Sequence, residues 1–97
     1  MSKSFLHVAE FTGSTTALPA VQLPPSREYL VEITGKSVLA EPFGEYTQVV
    51  RLMADAPCAV AVGLDPEAQA SSLPLPARAP EYFYVPPGHR LAVISNG

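Results

Sequence analysis

Tryptophan is absent from this chain, cysteine occurs once, and charged residues make up only 15% of its 97 positions. The single Cys58 has no partner for an internal disulfide, which points to synthesis in a reducing cytoplasm. The charged fraction sits well below the usual value of about 25%. The six bases, Lys3, Arg27, Lys36, Arg51, Arg78 and Arg90, are spread singly. Without a basic stripe, a sequence-independent grip on a nucleic-acid backbone is not expected. The nine acids are scattered as well, so the chain does not read as an acidic solvating tail. No apolar run is long enough for a transmembrane helix, so no membrane partner is expected. The N-terminus lacks the apolar segment of a secretory leader, and none is expected. No glycine-rich phosphate loop or nucleophile elbow is present.

Proline is abundant instead. Eleven prolines and six glycines leave few windows for a long helix. The dominant apolar period is two, the period of strands. Ser4 to Phe11 reads as a strand with Phe5, His7, Ala9 and Phe11 on one side. Glu28 to Thr34 places Tyr29, Val31 and Ile33 on one face. Gly35-Lys36 before Ser37 to Ala40 fits a type II′ turn, so 28–40 is expected to be a hairpin. Glu45 to Met53 alternates, with Tyr46, Gln48, Val50 and Leu52 on one face and Thr47, Val49, Arg51 and Met53 on the other. A helix competes for this segment, but Val49-Val50 and the short length favour a strand. Asp55-Ala-Pro57 is a turn, Cys58 to Gly63 a buried strand, and 66–80 a long loop with an extended piece near Ser72-Leu73. Glu81 to Val85 is an aromatic strand. Pro87-Gly88 suits a type II turn with a positive φ at Gly88. Arg90 to Ile94 is the last strand.

These roughly seven or eight strands predict an all-β fold in one domain, a small antiparallel β-sandwich or jelly-roll-like barrel. Its expected core is Val31, Ile33, Val50, Leu52, Val60, Val62, Phe83, Leu91 and Val93. Residues 12–27 read as a flexible or extended arm that could order on a partner.

Groups able to carry chemistry are sparse. His7 and His89 lack a third ligand at metal spacing, so no metal site is expected. Cys58 follows a proline and opens an apolar strand, where cysteine behaves as a small hydrophobe rather than a nucleophile. No pair of acids sits in an acid–base pattern, and no catalytic residue or cofactor is expected. The run Tyr82-Phe83-Tyr84 has two readings. It is either a stacking platform for a base or sugar, or one core ring with two edge rings at an interface.

The second half carries a further pattern. Val50-Arg51 leads to Asp55-Ala-Pro-Cys58-Ala-Val-Ala-Val-Gly63-Leu-Asp-Pro66-Glu-Ala68. Leu75-Pro76, Pro80-Glu-Tyr-Phe83, Val85, Pro87-Gly88 and Arg90-Leu-Ala-Val-Ile94 follow. Over residues 45–95 this resembles a group of small phage and prophage virion-associated structural proteins. The resemblance implies a non-enzymatic virion component, such as a capsid decoration or a small neck or tail accessory protein. It also implies docking on a larger virion protein such as the major capsid or tail protein, with the chain in the host cytoplasm and then in the virion. Low charge and unguarded strands add an expectation of self-association, with Tyr82, Tyr84 or the N-terminal strand at the interface, and the resemblance implies a closed homo-oligomer, a trimer favoured. The alternative is a small ligand- or glycan-binding module built on Tyr82, Phe83 and Tyr84.

Overall fold

A computed structural model describes residues 3–12 and 25–96. The described residues form eight strands and no helix. They are β1 (Ser4–Thr12), β2 (Arg27–Ile33), β3 (Val38–Leu39), β4 (Thr47–Ala54), β5 (Cys58–Gly63), β6 (Leu73–Leu75), β7 (Glu81–Tyr84) and β8 (Arg90–Ser95). Two four-stranded antiparallel sheets result. The first, sheet A, has the order β2-β1-β4-β7; the second, sheet B, has the order β3-β8-β5-β6. Every link from β2 onward crosses between the sheets except β5 to β6, the wrapping of a jelly-roll-like sandwich. Of the expected arm, 13–24 lies outside the described residues, while Thr12 and Arg27 belong to β1 and β2.

Alternation decides which side chains are inside. Leu6 and Val8 of β1 face Val31, Ala54 and Leu52 across the strands of sheet A. Together with Val60, Leu91, Val93, Leu75 and Cys58 of sheet B they form one core. The expected inward phase of Val31, Ile33, Val50 and Leu52 is found. Two members of the expected core differ. Val62 is 44% exposed and Phe83 is only partly buried. The cause is the length of β6, which pairs with β5 no further than Val60, so the sandwich stays open beside Val62.

Two local expectations are corrected. Residues 28–40 are not a hairpin: β2 and β3 lie in different sheets, and β3 pairs with Val93 and Ala92 of β8. Gly88 is the one described glycine with a positive φ, so Gly35 does not supply a type II′ turn. Instead the Thr34 hydroxyl accepts from the Lys36 N–H at 3.2 Å and donates to the Lys36 carbonyl at 2.9 Å, turning the chain across. In β4, Phe11 faces Val49 but Thr12 faces Thr47, so Gln48 is an extra residue, a β-bulge. The bulge flips the phase: Thr47 is buried, whereas Gln48 and Tyr46 are exposed. The turn at Pro87-Gly88 is as expected. Gly88 has φ +78°, and the His89 N–H reaches the Pro86 carbonyl at 3.4 Å.

Candidate assembly interface

A sandwich of two open sheets has four edges, and three of them here are guarded. The β2 edge carries Arg27, Glu28 and Glu32. Strand β3 has two residues, and β6 has three with Pro74 at its centre. Charge, brevity and proline are the usual defences against a stray strand. Strand β7 has none of them past Glu81.

The direction of the β7 backbone follows from one bond. The Val85 N–H donates to the Gln48 carbonyl at 2.9 Å, toward β4. Backbone groups of alternate residues in an antiparallel strand point the same way. Phe83 and Glu81 therefore also turn their N–H and C=O groups toward β4. Those of Tyr82 and Tyr84 point to the open edge, where no described strand follows.

The side chains alternate in the other sense. Phe83 faces inward beside Val50, and Tyr82 and Tyr84 stand on the outer face opposite Arg51 and Val49. Tyr82 is 54% and Tyr84 77% exposed. The three rings are thus not one platform, since Phe83 belongs to the inside. The residues expected at an interface present both free backbone and bare aromatic surface.

Next to this edge the sheets gape. A cleft of about 220 Å³ runs between β7 and the β5–β6 pair, and Val62, Leu73, Phe83 and Tyr84 line it. Val62, Leu73 and Tyr84 are all exposed large apolar side chains, so bare apolar surface borders this cleft, while Leu30 on β2 and Leu39 on β3 expose more of it at the opposite edges.

The other sequence candidates lie apart from this edge. Cys58 is fully buried, and burial together with the nearby Asp55 carboxylate pushes its thiol up to about 11. A thiol held protonated in the core is a poor nucleophile. His7 sits on the outer face of sheet A and His89 in the β7–β8 turn, each with a buried, unpartnered Nδ1. Among the described residues no three His, Cys, Asp or Glu side chains gather as a metal site would require.

One cluster escaped the sequence reading. Glu10 is fully buried and faces the sandwich interior at the end of the core. Its Oε1 accepts from the Thr47 hydroxyl at 2.7 Å and the Gly44 N–H at 3.0 Å. Its Oε2 accepts from the Tyr29 hydroxyl at 2.7 Å and lies 3.5 Å from the Arg27 guanidinium. That guanidinium also stacks on the Tyr29 ring at 5.1 Å. Burial and the Glu10 bond raise the Tyr29 pKa well above its ordinary value. Three donors aim at one carboxyl group, and the Arg27 guanidinium beside it donates to the Pro42 carbonyl at 3.2 Å, which together pin β1, β2 and the start of β4. The available signal was phase: Glu10 alternates with Leu6 and Val8.

No family model matches this chain, and no curated protein or solved structure matches it.

Proposed function

We propose that this chain is a non-enzymatic assembly protein that associates with copies of itself through β7 and docks on a larger protein. The observation that carries the reading is the β7 edge: backbone groups of Tyr82 and Tyr84 face outward, with an apolar cleft beside them. Pairing a strand onto that edge satisfies the free N–H and C=O groups and packs beside the Tyr84 ring, leaving the outer face of sheet A open. Insertion of a partner side chain between Val62 and Phe83 would complete the core that β6 leaves open.

The resemblance of residues 45–95 to phage virion-associated proteins supplies the setting. On that reading the chain is a capsid decoration or a small neck or tail accessory protein. Its larger partner is a major capsid or tail protein. The favoured trimer requires β7 of each copy to meet a different surface of the next, a heterologous contact that closes after three. Pairing β7 with its own copy would give a two-fold dimer instead.

Sedimentation at micromolar concentration tests the association. The native chain is expected as a single closed oligomer, and Tyr84→Lys as a monomer, because it places a charge on the open edge. A native chain that sediments at 10.3 kDa would remove the proposal's physical support.

A further inference from the structure

The outer face of sheet A holds a second concavity, of about 310 Å³. Ala9, a small and buried residue, lies at its floor. Ala9 stands between Glu28 on β2 and Arg51 on β4, and Tyr82 on β7 follows Arg51 in the same row. His7 and Phe11, next along the same face of β1, close its two ends. With strands about 4.8 Å apart, Glu28 and Arg51 flank the dent with their backbones roughly 10 Å apart.

Its polar groups are not consumed by one another. Among the described residues the ion pair is Arg27 with Glu10, and Arg51 makes one hydrogen bond, to the Met53 sulfur at 3.7 Å. His7 Nδ1 is shielded from solvent and has no partner.

We propose that this trough binds a neutral saccharide unit. The complement to its lining has an apolar face for the Tyr82 ring and the Ala9 floor. It also has groups that accept from Arg51, which can only donate, and donate to Glu28, which can only accept. Sugar hydroxyls do both, and a pyranose carries them around an apolar face. Glu28 and Arg51 offset each other, so a ligand of either single charge is drawn by one and repelled by the other, and an anion meets the net charge of −3 besides. A nucleotide would leave its phosphates without a basic neighbour beyond Arg51.

The test is titration of the native chain with cellohexaose, maltohexaose and chitohexaose, followed by amide NMR. At least one is expected to shift the signals of Ala9, Arg51 and Tyr82. Arg51→Ala and Glu28→Gln are each expected to weaken that binding about tenfold or more, since each loses a hydrogen bond to a charged group. Both substitutions lie off the β7 edge. Sedimentation of the same samples therefore reports self-association separately, and a monomer leaves the sugar result standing. No shift with any of the three at about 10 mM overturns the proposal, that concentration being well above a millimolar dissociation constant. Binding unchanged in both variants overturns it too, as does binding confined to a sulfated oligosaccharide such as a heparin hexamer.

Discussion

Glu10 shows how one side chain can organise a region. Its carboxyl group accepts from three neutral donors, two hydroxyls and one amide, and lies beside a guanidinium, in a place with no exposure to water. Glu10→Ala would strand Thr47, Tyr29 and Gly44 donors in the interior, at a cost of about 3–5 kcal/mol. Glu10→Gln keeps one acceptor oxygen and loses the charge, and a smaller loss is expected; urea unfolding of both variants measures the difference. Cys58 makes a pH prediction. Its thiol is raised to about 11 from an ordinary 9.0, so between these values the unfolded chain has lost a proton that the folded chain keeps. Stability is therefore complete below pH 9, falls as pH rises to 11, and loses up to about 3 kcal/mol from this group. Tyr29, also raised, acts in the same direction at higher pH. In Cys58→Ala the fall in urea midpoint between pH 9 and 11 should be shallower than in the native chain.

At the scale of the strand, β7 separates two kinds of backbone group within two residues. The Val85 N–H ties the end of β7 to the bulge at Gln48. The Tyr84 N–H points to the open edge. Val85→Pro should cost about 3 kcal/mol or more, because it deletes a sheet bond, whereas Tyr84→Pro should cost the monomer under about 1 kcal/mol. Thermal melts of dilute protein, where association is absent, distinguish the two. Equal losses would show that the strand direction argued from the Val85 bond is wrong. The β4 bulge is the other strand-level device. It exists because Thr47 must face Glu10 while Val49 and Arg51 keep their outward phase. A one-residue insertion is the means by which a strand changes face.

At the scale of the whole molecule, the sandwich is closed on one side and open on the other. The sheets approach each other along β2, β3 and β8, and the cleft lies at the opposite edge, where β7 and the short β6 leave room. Core energetics should follow this asymmetry. Leu6, at 0% exposure in the closed part, should cost about 2–5 kcal/mol when cut to alanine. Val62, expected in the core but 44% exposed beside the cleft, should cost the monomer under about 1 kcal/mol on the same change. If the proposed assembly closes over the cleft, Val62→Ala should weaken the oligomer more than the monomer, which sedimentation and dilute-protein melts read independently.

The strands, the turn at Gly88 and most inward phases were legible in the residues themselves, because alternation and the backbone limits of proline and glycine act over a few positions. The strands at Cys58 and Arg90, the extended piece near Leu73 and the positive φ of Gly88 all depend on such neighbours. Pairing is different. Gly35-Lys36 looks like a hairpin turn from either side, yet β3 finds β8, more than fifty residues away, because Val38 completes the core against Val93. The buried carboxyl of Glu10, the bulge at Gln48, the exposure of Val62 and the trough over Ala9 share one cause. Each depends on which strand lies alongside, and that is settled by the closure of two sheets over a common core rather than by any local run of residues.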